Sequence, residues 1–333
     1  LGDDLLIQML LERYAASDFC MISRNRRVGQ GFTGYQNLDL LVVNGLPPVK
    51  KCRTHITIGG SVFPEDALWG LKYVKRLRLQ KKIQKSYVLG ANFGPYDSPG
   101  FLEAYKKLFR KYKDVCFREK NSYQLFKDNK KIRVEPDILF GYPHIQTCAE
   151  QEQVLISVIS LQNRPSLAQY AEAYTANMVR LCEDFVQNGI KVCLMSFCNN
   201  EGDKNAIVEI RQQLTQETLS QTDMYCYEGD TAEALGKIAE SKYVVTARFH
   251  GAILGFIHKK TVYPIIYSDK TKHMLSDIGF EGNFCAISEA EKLTVEAVMA
   301  NSAYKVDCSK LSEAADRQFL ALDKVLKRSK KQA

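Results

Sequence analysis

No apolar run in this chain approaches the ~20 residues needed to cross a bilayer as a helix. The first eleven residues carry acids at Asp3 and Asp4 rather than a basic region ahead of an apolar stretch, so they do not read as a secretory signal. No Cys-x-x-Cys pair occurs, and the ten cysteines and five histidines fall at no zinc-ligand spacing. A Walker phosphate loop, internal repeats and low-complexity tracts are missing as well. The expectation is therefore an intracellular, cytoplasmic chain without a metal site. Its cysteines are expected to be reduced, with several, such as Cys182, Cys193 and Cys226, acting as small apolar fillers.

What is present is ordinary globular material. With 333 residues, 45% hydrophobic and 25% charged, the chain is long enough for two domains of roughly 150 residues each. The net charge of +8 is unevenly placed. Residues 1–150 hold about 25 Lys and Arg against about 15 Asp and Glu. Most of that excess comes from two stretches, 72–85 and 106–113, and a further basic tail runs over 324–331. Two readings stay open: solvated helix faces, or attraction to an anionic membrane surface or a lipid-diphosphate substrate. No nucleic-acid partner is expected, because no recognised binding module accompanies the charge.

Short β-rich apolar runs alternate with helical patterns, which predicts an α/β fold with largely parallel sheets. The strands of the first half are predicted at 38–43, 55–58, 86–89, 114–117 and 133–134, and those of the second at 154–160, 191–196, 224–226, 243–246 and 261–266. Helices are predicted over 101–112 and 166–187, and a closing amphipathic helix over 309–327. A polar stretch at 141–153 serves as the linker. The expected organisation is an N-terminal Rossmann-like domain over 1–145, a C-terminal one over 152–308, and a closing helix with basic tail over 309–333. The two domains are expected to face one another across a cleft. A doubly wound domain normally begins with a strand, whereas this chain opens on Leu1-Gly2-Asp3-Asp4 and a helix, so its first strand is expected to be missing.

Chemistry concentrates between Tyr243 and Lys270. An apolar strand ends in Ala247-Arg248-Phe249-His250-Gly251 and feeds an apolar helix, and a second strand ends in Tyr267-Ser268-Asp269-Lys270. Arg248 and His250 thus fall at a strand's carboxyl end and a helix N-terminus, where free N–H groups and the helix dipole favour anions. Taken singly, each is read as a surface charge or a structural histidine. A guanidinium, an imidazole and an ammonium at two successive strand ends point instead to a phosphate or carboxylate site.

This segment resembles the signature of the polysaccharide pyruvyl transferase family: an Arg-x-His, a small apolar helix, an apolar strand, then Tyr and Lys. Further motifs agree in order. Gly2-Asp3-Asp4 resembles the family's N-terminal acidic loop, and Gly59-Gly60-Ser61 its glycine-rich turn. Gly90-Ala91-Asn92-Phe93-Gly94-Pro95 resembles the next strand-exit loop. Arg118-Glu119-x-x-Ser122 resembles an Arg-Asp-x-x-Ser segment, and Pro136-Asp137 the Asp motif that follows it. Glu119 stands where an Asp is common.

The resemblance implies two Rossmann-like domains of glycosyltransferase B type. It also implies transfer of pyruvate from phosphoenolpyruvate to a sugar diol as a ketal, with phosphate released and no metal or further cofactor. Arg118, His250 and Lys270 are the catalytic residues it implies. Arg248, Phe249, Gly251, Ser122 and Tyr267 would line the donor, and Asp3, Asp4, Gly60 and Asn92 the acceptor. Capping and acceptor binding both remain open for Asp3 and Asp4, as turn-forming and sugar binding do for the Asn92 loop. The expected acceptor is a sugar of a polysaccharide or lipid-linked precursor, the latter with a polyprenyl diphosphate at the inner membrane face. Alternatives are a nucleotide-sugar-dependent glycosyltransferase of the same fold, or a non-catalytic relative that binds a glycan precursor.

Overall fold

In the computed structural model, residues 1–23, 31–42 and 52–326 are described, and they divide into two units. One comprises Asp3–Tyr142 with Ser309–Ala333, the other Leu1–Gly2 with Pro143–Cys308.

The strands of the first unit are β1 (Phe19–Ser23), β2 (Leu38–Val42), β3 (His55–Ile58), β4 (Ser86–Ala91), β5 (Asp114–Phe117) and β6 (Ile132–Val134). β1 and β2 pair parallel with each other, and β3 to β6 form a parallel sheet in chain order. β4 and β5 lie in the middle of that sheet and every residue in them is buried, which is why both read as apolar runs after Ser86 and Asp114 at their starts. The helix Pro99–Phe109 shows how the unit fills its core. Ser98 caps it by accepting from the Phe101 N–H, Pro99 pre-sets its first turn, and Phe101, Tyr105, Leu108 and Phe109 recur on one face. Those four side chains join Phe63, Phe93, Phe117 and Phe126 in one aromatic-rich cluster.

The C-terminal segment returns to this unit. The helix Cys308–Asp316 does not run on as a single helix over 309–327; it gives way to a tight 3-10 turn at Arg317–Phe319. That turn buries Gln318 completely. Its amide accepts from the Gly90 N–H (2.9 Å) and donates to the carbonyls of Phe117, Glu135 and Pro136. Arg13, from the first helix (Gly2–Arg13), is held by Asp316 and Asp323. The end of the basic tail, from Lys327 on, and Val43 of the strand expected at 38–43 lie outside the described residues.

The second unit contains β7 (Gln151–Val158), β8 (Lys191–Ser196), β9 (Thr222–Cys226), β10 (Ser241–Thr246), β11 (Thr261–Ile266) and β12 (Cys285–Ala286). All pair in parallel, in the order β12-β11-β10-β7-β8-β9. Counted within the unit this is 6-5-4-1-2-3, the doubly wound order whose direction of winding reverses between β7 and β10. β7 starts at Gln151, inside the stretch expected as linker, because pairing carries the strand out to polar residues: the Gln153 amide donates to Ser241 Oγ on β10 (2.9 Å). The helix Phe249–Ile257, which follows β10, is buried on every side apart from His250, consistent with its nearly all-apolar sequence. Among the described residues no helix is long and apolar enough to cross a membrane.

Candidate functional site

Each parallel sheet gathers sequence-singled residues at the carboxyl ends of its strands, where open α/β sheets hold their ligands. In the first unit every strand exit of the four-stranded sheet contributes. The turn after β3 needs Gly59 and Gly60, which take φ of +65° and +75°, and it places Ser61 so that its hydroxyl donates to Asn92 Oδ1 (3.0 Å). Asn92, after β4, also accepts from Arg118 NH2 (2.8 Å). Arg118, after β5, donates through NH1 to Asp137 Oδ2 (2.9 Å), which follows β6. The Arg118 and Asp137 side chains are 1% and 0% exposed, so this is a fully desolvated ion pair. Asp3, exposed in the first helical turn, comes close to Gly60: a Cβ built there would lie 3.7 Å from Asp3 Oδ1 and as far from Val62. Asp4 follows it in the same turn.

Ser122 serves this framework directly. It is completely buried, its hydroxyl donates to Glu119 and it accepts from the Phe93 N–H (2.7 Å). Glu119 caps the short helix Lys120–Gln124 by accepting from the Ser122 N–H (2.9 Å). The longer acid in place of Asp thus has a capping task.

In the second unit the residues meet at the reversal of winding. Arg248 precedes the helix Phe249–Ile257 and is fixed by its own backbone: Thr246 Oγ1 accepts from the Arg248 N–H (3.0 Å). Its guanidinium reaches back to the exit of β8, donating through NH1 to Glu201 Oε2 (2.6 Å) and through NH2 to Asp203. Arg164, from the loop after β7, donates to the same Glu201 oxygen (2.5 Å) and lies 5.0 Å from the Tyr267 ring centroid. Lys270, in the first turn of the helix Asp269–Asp277, lies 5.6 Å from that centroid on the β11 exit. β11 is the parallel neighbour of β10, as the sequence implied. His250 sits edge-on to the Phe249 ring (5.3 Å), and Gly2 approaches it closely. Gly251 permits contact with β10: a Cβ there would come within 2.3 Å of Thr246 Oγ1.

Electrostatics follow from this packing. Burial lowers the tendency of Arg248 to stay charged, but Asp203 and Glu201 outweigh it and leave the guanidinium more firmly protonated than usual. Burial raises the Asp203 carboxyl, and Arg248 offsets only part of that rise. For Glu201 the balance is reversed. Burial raises it, yet Arg248, Arg164 and Lys270 together hold its carboxylate below the ordinary range.

The structure thus joins Arg248, Tyr267 and Lys270 through Arg164 and Glu201, and joins Asp3, Gly60, Asn92 and Arg118 in the other unit. Arg164, Glu201 and Asp203 are additions to the residues singled out from sequence, while Ser61 and Gly2 stood in the quoted motifs without a role of their own. The one visible signal of the three additions was position, since they lie just beyond predicted strands.

The fold is a two-domain, Rossmann-like α/β fold of glycosyltransferase B type. The structure is similar to a glycosyltransferase from Rickettsia africae ESF-5 (TM-score 0.50, 12% identity, 97% of this chain and 91% of that one). It is also similar to a UDP-N-acetylglucosamine 2-epimerase (TM-score 0.53, 11% identity, 99% and 94%). At such identities these likenesses speak for the fold alone. No curated protein matches the chain. The family model for polysaccharide pyruvyl transferase matches residues 2–269, and the chain belongs to the polysaccharide pyruvyl transferase family.

Proposed function

We propose that this protein transfers pyruvate from phosphoenolpyruvate to two hydroxyls of a sugar, forming a cyclic ketal and releasing phosphate. The observation that carries the reading is the set of basic groups at the β7, β10 and β11 exits, Arg164, Arg248 and Lys270, with His250 two residues after Arg248 at the same helix N-terminus. Phosphoenolpyruvate carries a carboxylate and a phosphate on one three-carbon frame, and such a donor needs several cations to hold it.

Protonation of the methylene carbon makes a methyl group and an oxocarbenium ion at C2. One sugar hydroxyl adds to C2 and loses its proton, the C2–O bond to phosphate breaks, and the second hydroxyl closes the ring. Of the two protons lost by the hydroxyls, one balances the proton taken up by carbon and the other leaves on phosphate. His250 is assigned acid–base work and phosphate contact, because imidazole exchanges protons near neutral pH. Lys270 neutralises the departing phosphate. Arg118 clamps an anionic end of the donor, its orientation set by Asn92 and Asp137. Phe249, Gly251 and Tyr267 complete the donor side, and Asp3, Asp4, Gly60 and Asn92 the acceptor side; Ser122, completely buried, acts behind the site by holding Glu119 and the Phe93 N–H rather than by touching the donor.

A lipid-linked acceptor at an anionic membrane surface accords with the exposed face of the helix Trp69–Ile83. Leu68 and Leu71 are 59% and 63% exposed at its start, and Lys75, Arg78, Lys81 and Lys82 follow on the exposed side.

The test is incubation with phosphoenolpyruvate and a panel of galactosides and N-acetylmannosaminides, free and lipid-linked, with phosphate release and product mass recorded. A product heavier by a pyruvate ketal, lost in His250→Ala, supports the reading. No turnover, together with thermal protection by nucleoside diphosphates but not by phosphoenolpyruvate, sinks it in favour of a glycosyltransferase.

A further inference from the structure

Two guanidinium groups converge on a carboxylate oxygen that belongs to the protein itself. Glu201 Oε2 accepts from Arg164 (2.5 Å) and from Arg248 (2.6 Å), while Lys270 acts on the same carboxylate from the β11 exit. This is the environment an oxygen of a phosphoryl or carboxylate ligand requires.

The partners differ in how firmly they are held. Arg248 has a second acid, Asp203, whose side chain is 0% exposed and which also accepts from the Cys198 N–H (3.0 Å). Arg164 is supported on the ring of Tyr267. Glu201 is 47% exposed and ends a one-turn 3-10 helix, Asn199–Glu201, followed by Gly202 at φ +89°. An ion pair whose acid is that exposed is weakened because water competes for the carboxylate, even where the arginine, like Arg248 at 12%, is largely buried. Glu201 is thus the member of the network that is cheapest to move, and Asp203 keeps Arg248 neutralised when it does.

We propose that Glu201 competes with the donor's anion for Arg164 and Arg248. A phosphoryl or carboxylate oxygen of the donor takes the place of Glu201 Oε2, and Arg164 is by that exchange a donor-binding residue. The acid keeps the basic cluster oriented and sets a threshold against weakly charged ligands. The inference rests on the function proposed above only for the identity of the anion.

The test is isothermal titration of inorganic phosphate, phosphoenolpyruvate and a nucleoside diphosphate into the wild type, Glu201→Gln and Arg164→Gln, with thermal midpoints recorded alongside. Glu201→Gln keeps the size and removes the charge, and it should bind the preferred anion about fivefold more tightly, the factor lost with one exposed ion pair. Arg164→Gln should bind it at least about tenfold more weakly. Glu201→Ala serves as the second variant should the Gln form fold poorly. Tightening seen with the nucleoside diphosphate and not with phosphoenolpyruvate keeps the role of Glu201 and removes the pyruvyl reading. Phosphoenolpyruvate turnover with unchanged affinity in both Glu201 variants overturns the inference and leaves that reading standing. Failure of all three anions to bind any of the proteins overturns it too.

Discussion

Gly2 and His250 share a space with no room for a methyl group: a Cβ on Gly2 would lie 2.0 Å from Nδ1 of the imidazole. Gly2 opens the helix Gly2–Arg13, where Ala is at least as well tolerated by the backbone. Gly2→Ala therefore acts through the ring it displaces. If His250 moves the proton, turnover should fall about a hundredfold with little change in thermal midpoint, since a shift of about 1 Å in a reacting group costs that much. Unaltered turnover in a folded Gly2→Ala protein would remove His250 from acid–base work.

The Arg118–Asp137 pair allows a stability measurement to be separated from an activity measurement. Asp137→Asn leaves a buried guanidinium without its carboxylate and should cost about 3 kcal/mol or more in denaturant unfolding. Arg118→Lys retains the charge but not the fork that reaches Asp137 and Asn92 together, so it should lose stability as well. An Arg118→Lys protein as stable as the wild type would show that the fork is dispensable.

His55, at the start of β3, is held neutral by burial and by the charge of Arg76, which lower its pKa from 6.5 to about 4. The unfolded chain therefore binds more protons than the folded one between those values. The His55 contribution is present in full above pH 6.5 and is lost progressively as the pH falls towards 4. Thermal midpoints measured across that window should fall less steeply in His55→Gln than in the wild type. Parallel slopes would show that other groups carry the acid response.

The exposed side of the helix Trp69–Ile83 predicts salt-sensitive binding to anionic vesicles. Replacing Lys75, Arg78, Lys81 and Lys82 by Glu should weaken sedimentation with phosphatidylglycerol vesicles at least about tenfold. Leu71→Asp should weaken it with less effect on the salt dependence. Equal partition of all these forms would remove the support for a membrane-borne acceptor.

Much of the fold was legible because its central strands are predominantly apolar. β5, β8 and β11 were predicted at their observed bounds, being short β-rich runs between turn or helix signals. β12 was not, since Cys285–Ala286 is a strand only by pairing with Ile265 and Ile266. β1 was missed as well, a five-residue strand whose one observed partner is β2. The site divides in the same way. Arg248 and His250 could be singled out because they interrupt an apolar strand–helix junction. Arg164 and Glu201 are 37 residues apart, and Glu201 and Arg248 are 47 apart. Each alone reads as a surface charge, and only the side-by-side pairing of β10, β7 and β8 makes them neighbours.

Gln318 has a consequence for the order in which the chain matures during synthesis. Its amide ties the exits of β4, β5 and β6 from a position more than 180 residues downstream of the last of them. A ribosome releases the N-terminal end first, so the loops that carry Asn92, Arg118 and Asp137 wait for a residue made more than 180 positions after them. The unit containing β7 to β12 is, apart from Leu1–Gly2, one uninterrupted stretch ending at Cys308. Most of it is therefore synthesised before the segment that stitches its companion's strand exits together.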